Sequence, residues 1–446
     1  MKQIKITIHD SVWSEATTGK DLLKPCLSFP AEFWIKKQFG KQMKPYRKSL
    51  FEGRGKLFLT GFIDKIQQYC IKQDIDLLIT NNNMIKPIRA KKEPYIEGLN
   101  IKDGKYSFQY ELIEKAIKEQ RGVIKAATAS GKTIIMLGLI SCYPKKKILF
   151  LSDTYVPITQ FNKELEDNNF PTKNITATTI QSQYRKSLDE HDKYDIILID
   201  ECHGVSNLSG MYAKVLKNSL APMRLGFTAT LPRTLEGKLA LEGLLGPIIG
   251  ELTIQEGTER GVLAVPKIII REIPENNSLK YLKGYQNVYK KTVVENKVYN
   301  RLICKDAKTE IDQNKTVLIL VVEIQHGKNL VEMARELFDL DLIFVQGSTE
   351  AETRETIRLQ MNDKKIKGVV ATAVFRKALN IRSLDTVINA CGGKSEVVTL
   401  QAIGRGLRKT EDKEFVKIID YFNPNHYYLV DHFGRRLCLY FREGWL

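Results

Sequence analysis

Short, almost wholly apolar runs separated by helix-length stretches constrain this chain more than any other feature. GVIKAAT, KKILFLSD, YDIILIDE and RLGFTAT follow one another between residues 122 and 230, each closing on a small or polar cluster. Helical stretches such as YELIEKAIKEQ and KTIIMLGLISC lie among them. A strand with one wet face alternates apolar and polar residues. A strand apolar throughout is covered on both faces, as in a parallel sheet flanked by helices. The rhythm restarts after VPKIIIREI with KTVLILVV, DLIFVQG, KGVVATA and DTVINA. The pattern predicts two α/β domains in tandem, joined near ERGVLAVPK, with residues 96–263 in the first and 264–446 in the second.

Residues 1–95 follow no such rhythm and read as a small mixed domain. IKITIHD is a strand candidate, AEFWIKKQF a short helix, KLFLTGF a strand, and FIDKIQQYCIK a helix leading into the strand DLLIT. MIKPIRAKKEPYIEG, charged and containing proline, has the character of a linker. With 446 residues and 43% hydrophobic content, each domain can bury a core. No segment offers eighteen uninterrupted apolar residues, and MKQIKITIHD lacks the apolar stretch of a secretion signal, so the expectation is a cytoplasmic protein with no membrane partner. None of the seven cysteines forms a CxxC pair, which points to reduced thiols instead of a zinc site or disulfide framework.

Charge narrows the choice of partner. The formal net charge is +17 and the isoelectric point about 9.3, which favours a polyanion. Between Lys36 and Lys56 the cations Lys36, Lys37, Lys41, Lys44, Arg47, Lys48, Arg54 and Lys56 face a single acid, Glu52. Trp34, Phe39, Tyr46 and Phe51 are interleaved with them. Basic side chains neutralise phosphates and aromatic faces stack on bases, so the run is a candidate nucleic-acid platform. A solvated basic face over a small aromatic core would read the same way.

Residues 126–133, AATASGKT, supply the chemistry. A strand, a loop of small residues (Ala126, Ala127, Thr128, Ala129, Ser130, Gly131) and a Lys-Thr opening a helix form a phosphate-binding loop, because only small residues let backbone N–H groups wrap phosphates. Lys132 would reach the β- and γ-phosphates of ATP and Thr133 would hold magnesium. Ala126 replaces the first glycine of the strict pattern, and Ala129 stands where glycine is usual. Asp200 and Glu201 end a buried strand in YDIILIDECH. There Asp200 would hold the magnesium shell, and Glu201 would orient and activate water.

Asp200-Glu201-Cys202-His203 resembles the DExH box of superfamily 2 helicases, and further motifs of that superfamily follow in order. Phe108-Gln109 resembles the adenine-reading motif, LFLSDTYVPITQF motif Ia, and Thr179 with Gln181 the nucleic-acid contact after it. Thr228-Ala229-Thr230 resembles motif III, which with His203 implies coupling of the ATP site to the nucleic acid. VLILVVEIQHGKNL, with His326, resembles motif IV, and KGVVATAVFRKALNI, with Thr372, resembles motif V. The resemblance gives both residues nucleic-acid contacts. QAIGRGLR resembles motif VI, in which Gln401 would contact ATP and Arg405 and Arg408 would reach the γ-phosphate, Arg408 as the finger.

The implied fold is α/β, two tandem RecA-like parallel-sheet lobes with a small α+β N-terminal accessory domain. The wording resembles that of the phage UvsW-type helicases, which share a His-Asp after the first strand, as at His9-Asp10, a basic N-terminal cluster like SLFEGRGKLFL, and QxIGRxLR. Ala378 for the usual glycine of motif V, and Phe51-Glu52-Gly53 for Trp-Asp-Gly, depart from that family. The resemblance implies remodelling of forked or branched DNA, with branch migration, by a monomer in a host cytoplasm alongside replication or recombination proteins. An RNA helicase, or a non-unwinding motor subunit, fits the same motifs.

Overall fold

The computed structural model describes residues 2–37, 40–82, 86–372, 381, 383–393 and 413–446, with side chains for all of these except 33–37, 40–42, 54 and 351. Two compact units divide the chain between Leu252 and Thr253, apart from the loop residues Ala127–Ser130.

The first unit opens with a four-stranded sheet of β1 (Gln3–Ile8), β2 (Trp13–Thr18), β5 (Leu57–Leu59) and β6 (Asp76–Asn81), in the order β5-β2-β1-β6. Helix Ile63–Lys72 joins β5 to β6 and buries Ile66 and Cys70. Between β2 and β5, β3 (Ser28–Lys37) and β4 (Gly40–Ser49) form a separate antiparallel hairpin, in register from Ser28 opposite Ser49 to Lys37 opposite Gly40. Over the described residues 31–37 the helix expected for AEFWIKKQF is therefore strand. Nine residues are too few to hold a helix without a packed face, whereas Phe33, Trp34 and Ile35 are strand formers and the next ten residues offer a partner.

Six parallel strands follow: β7 (Arg121–Ala126), β8 (Ile148–Ser152), β9 (Ile175–Thr179), β10 (Ile196–Asp200), β11 (Met223–Thr228) and β12 (Ile248–Leu252), ordered β12-β7-β11-β10-β8-β9. Every residue of β8 and β11 is buried, as their unbroken apolar runs require. Helices Ser107–Glu119, Lys132–Ser141, Tyr155–Asp167 and Leu235–Leu245 connect and flank them.

The small sheet shares one continuous core with the parallel sheet, running from Ile4, Phe58 and Phe62 into Leu239, Leu244 and Leu245. Backbones touch at this junction. A Cβ at Gly61 would lie 2.2 Å from the Glu242 carbonyl oxygen, so only glycine fits there. The Arg224 guanidinium, 1% exposed, donates to Ser11 Oγ at 3.2 Å and to the carbonyls of Leu216, Ser219, Ala221 and Leu244. Burial, then repulsion from Arg121, pulls its pKa down to about 9, which leaves it charged at neutral pH.

The second unit holds another parallel sheet: β13 (Val265–Glu272), β14 (Val317–Val321), β15 (Ile343–Val345), β16 (Gly368–Thr372), β17 (Thr386–Asn389) and β18 (Phe415–Phe422), ordered β13-β18-β17-β14-β16-β15. Helices Lys297–Asp312, Ile324–Phe338, Ala351–Asn362 and Tyr427–Arg442 flank it. These two sheets are the tandem RecA-like lobes that the sequence implied. Among the described residues, no helix is long and apolar enough to cross a membrane.

Candidate functional site

The ATP loop leaves the C-terminal end of β7, and helix Lys132–Ser141 begins directly after it. Gly131, at φ +86°, caps that helix, whose first N–H groups lack partners within the helix and point toward a phosphate position. A Cβ on Gly131 would lie 2.4 Å from Gln109 Nε2, so the glutamine of the adenine-reading motif packs on the phosphate loop itself. Ala129 takes φ +70°, a left-handed conformation that costs a residue with a side chain about 1 kcal/mol. The departure noted at Ala129 is thus a glycine conformation occupied by alanine.

Lys132 Nζ donates to the Ala126 carbonyl at 3.4 Å and lies 3.7 Å from Glu201 Oε1. Glu201 leaves β10 with φ +49°, a sharp turn that swings its carboxylate away from the strand. Burial, and next the charge of Glu201, push the Asp200 carboxyl up to about 7, against the opposing pull of Lys132. Asp200 and Glu201 thus set two carboxylates beside the one lysine. Thr133, half-buried at the start of the helix, adds a hydroxyl oxygen. Magnesium is held by one or two protein groups together with nucleotide phosphates, and this donor set fits it.

His203 and Thr228, the residues expected to couple the two sites, converge on the same carboxylate. His203 Nδ1 lies 3.2 Å from both Thr228 Oγ1 and Glu201 Oε2. Thr228, fully buried, donates to the Thr230 carbonyl at 2.7 Å and accepts from the Thr230 N–H at 3.2 Å. Its hydroxyl is 3.4 Å from Glu201 Oε2. Asp153, not singled out in the sequence, buttresses this turn. It accepts from the Tyr212 hydroxyl at 2.7 Å, and a Cβ on Gly204 would lie 2.9 Å from its carboxylate. An acid directly after the apolar strand ILFLS was the available signal.

The expected nucleic-acid contacts divide. Thr179 ends β9 and its hydroxyl accepts from the Ser182 N–H at 3.2 Å, capping a short helix, while Gln181 is exposed beside it. His326 is corrected. It is fully buried, its Nε2 lies 2.9 Å from Asn300 Oδ1, and burial pulls its pKa down to about 4, so in this structure it is a neutral interior group and not part of the surface. Thr372, 4% exposed at the end of β16, is likewise interior and makes no surface contact. Lys44, Arg47 and Lys56 are exposed; Arg47 donates to Ser28 Oγ at 2.9 Å, and Lys48 pairs with Glu236 at 2.6 Å. The side chains of Lys41 and Arg54, and residues Gln401, Arg405 and Arg408, lie outside those described.

Comparison with known proteins gives the family. Residues 102–233 match the family model "Type III restriction enzyme, res subunit", and residues 297–410 match "Helicase conserved C-terminal domain", together more than half of the chain. The fold and site define the class: the chain belongs to the superfamily 2 helicases and is an ATP-driven enzyme. Within that class it resembles UvsW. The ATP-dependent DNA helicase uvsW of Enterobacteria phage T4 is 23% identical over 94% of this chain and 90% of its own length. The DNA 3'-5' translocase XPB2 of Sulfurisphaera tokodaii is 25% identical over 70% of this chain and 80% of its own. The DUF1998 helicase MrfA, solved bound to DNA, shares the fold with a TM-score of 0.55 and 16% identity, over 76% of this chain and 53% of that one.

Proposed function

We propose that this chain is an ATP-dependent DNA helicase or translocase that remodels branched DNA, forks and Holliday junctions among them, during replication, recombination or repair. The observation that carries the reading is the convergence of Lys132, His203 and Thr228 on Glu201, because hydrolysis and motif III then share one carboxylate. The DNA substrate is supported by the ATP-dependent DNA helicase uvsW, which matches 94% of this chain, and the branched form rests on the UvsW-type wording of the motifs.

In this reading residues 1–95 form the accessory domain, and residues 96–263 and 264–446 the two lobes. Lys132 draws the β- and γ-phosphates of ATP onto the helix N-terminus, and Gln109 with Phe108 holds the adenine. Magnesium, when bound through Asp200 and Thr133, neutralises phosphate charge. Glu201 orients water and takes its proton. Arg408, seconded by Arg405, stabilises the charge that develops on the γ-phosphate, an effect of roughly 10³–10⁵ in kcat for such fingers. Thr179, Gln181, Lys44, Arg47 and Lys56 contact phosphates, and such contacts position the strand without reading sequence. The motor works as a monomer in a host cytoplasm.

Strand displacement from a labelled fork tests the reading. ATP-dependent fork remodelling by the wild-type chain, lost in Glu201→Gln, supports it. A chain that hydrolyses ATP on DNA and leaves forks intact would restrict the function to translocation.

A further inference from the structure

The charged linker RAKKEPYIEG, which the ATP site leaves unexplained, packs against a second basic run more than fifty residues later. The Lys91 N–H donates to the Cys142 carbonyl at 2.9 Å, and the Tyr95 N–H donates to Ser141 Oγ at 2.9 Å. Arg89, Lys91 and Lys92 are thereby held beside Pro144-Lys145-Lys146-Lys147. Arg89, Lys91, Lys92, Lys145 and Lys147 are exposed, whereas Lys146 is taken by Asp195 at 2.9 Å. Of the nearby acids, Glu93 is paired with Lys102 at 3.3 Å, whereas Glu97 accepts from Asn169 Nδ2 at 3.4 Å and keeps its charge. Five exposed cations against this one uncompensated acid leave a net positive surface that attracts a polyanion.

A hollow of about 300 Å³ opens among these runs, lined in part by Tyr95, Ile96, Asn169, Phe170, Pro171 and Asn174. Tyr95 is 67% exposed, a large aromatic face offered to solvent. Aromatic faces, amide groups and a basic rim are the parts with which proteins take an unstacked base and its phosphates. Ile148 and Ile175, the first residues of β8 and β9, also line the hollow. It therefore opens at the N-terminal ends of the strands, while Ala127, Glu201 and Thr179 stand at or just past the C-terminal ends. Five residues of strand put about 17 Å between the two ends. An occupant of the hollow is neither the nucleotide nor a strand passing Thr179 and Gln181.

We propose that this end of the first lobe is a second DNA site, in which Arg89, Lys91, Lys92, Lys145 and Lys147 hold phosphates and the hollow beside Tyr95 receives a base. The proposal rests on the DNA-motor reading and deepens it, because it gives the second arm of a branched substrate its own grip. The occupant is single-stranded DNA at a branch, where bases are already unstacked.

The test is the salt dependence of fork binding, measured by fluorescence anisotropy with the full chain, alongside ATPase activity on unbranched single-stranded DNA. Each lost phosphate contact on a single strand removes about 0.7 from the log–log salt slope. The triple variant Lys91→Ala/Lys92→Ala/Lys147→Ala is expected to lower the slope by roughly 2, with ATPase on unbranched DNA unchanged. The arginine triple variant at the same positions keeps the slope. Tyr95→Ala weakens fork binding roughly tenfold, and Tyr95→Trp restores it. A wild-type slope in the alanine triple variant overturns the proposal and leaves the motor reading standing. Equal loss in the arginine variant overturns it too, since the lysines would then not be acting as charges. Failure of the wild-type chain to bind any DNA would overturn both.

Discussion

His203 Nδ1 stands 3.2 Å from Thr228 Oγ1, which ties the turn that follows Asp200 and Glu201 to the end of the neighbouring strand β11. Since His203 also lies 3.2 Å from Glu201 Oε2, any shift of Glu201 during hydrolysis is felt at Thr228. His203→Ala and Thr228→Val are expected to lower fork remodelling far more than ATP turnover. Combined in one chain they should be non-additive by roughly 0.5–3 kcal/mol in the unwinding rate. The ratio of base pairs opened to ATP hydrolysed, measured for each variant, checks this. A ratio unchanged from wild type would make the pair a structural contact only.

Glu201→Gln keeps the shape and hydrogen-bonding reach of the side chain and removes its basicity. ATP affinity should stay within a few-fold of wild type while kcat falls by roughly 10²–10⁴. Equilibrium binding of a fluorescent ATP analogue, set beside steady-state turnover, separates the two effects. Arg408→Ala should likewise lower kcat much more than it raises KM.

Asp200 gives a pH signature of unusual sign. Its carboxyl is pushed up to about 7 by burial and by Glu201, so between pH about 4 and 7 the folded chain holds a proton that the unfolded chain has lost. Its contribution to stability is therefore fully present below about pH 4 and is lost as pH rises through 7. Without nucleotide or magnesium, Asp200→Asn should stabilise the chain at pH 8 and change little at pH 5. Urea unfolding at the two pH values reads this out, and equal effects at both would contradict the assignment.

Ala129→Gly removes the left-handed strain in the phosphate loop but adds chain entropy to the unfolded state. The two terms, about 1–2 and 0.4–1 kcal/mol, leave a net stabilisation of roughly 0.5 kcal/mol. Ala129→Val should destabilise by more than 1 kcal/mol, because a β-branched residue tolerates positive φ least. Thermal melts of the two variants should move in opposite directions.

Much of this was legible in the sequence, for identifiable reasons. The strands β8, β10, β11, β14, β16 and β17 are apolar on both faces, and no other pattern explains such runs between helices. The phosphate loop and the Asp200-Glu201 pair could be read because backbone wrapping and water activation tolerate few residue types. The β3–β4 hairpin was not legible, since AEFWIKKQF satisfies helix and strand periods alike and its cross-strand partner decides. His326 was misassigned because sequence shows a titratable side chain and not the burial that makes it neutral. The core shared by the N-terminal sheet and helix Leu235–Leu245 was also hidden, because it joins residues more than 170 apart.

That shared core changes how the N-terminal region can be tested. Deleting residues 1–95 would strip Phe58 and Phe62 from the shared core and remove the Ser11 hydroxyl that accepts from Arg224, so it should destabilise the whole unit. Arg224→Ala alone is expected to cost roughly 3–5 kcal/mol, since several buried carbonyls lose their donor together. Denaturant unfolding of that variant checks the cost, and a loss under 1 kcal/mol would show that the junction is held by apolar packing alone.

ATP turnover measured side by side on forked DNA, single-stranded DNA, duplex DNA and RNA tests the central claim most directly. Forked DNA is expected to stimulate the wild-type chain most, with RNA giving the least stimulation and Glu201→Gln none on any substrate. Equal stimulation by RNA and forked DNA, or turnover indifferent to all four, would contradict a branched-DNA motor.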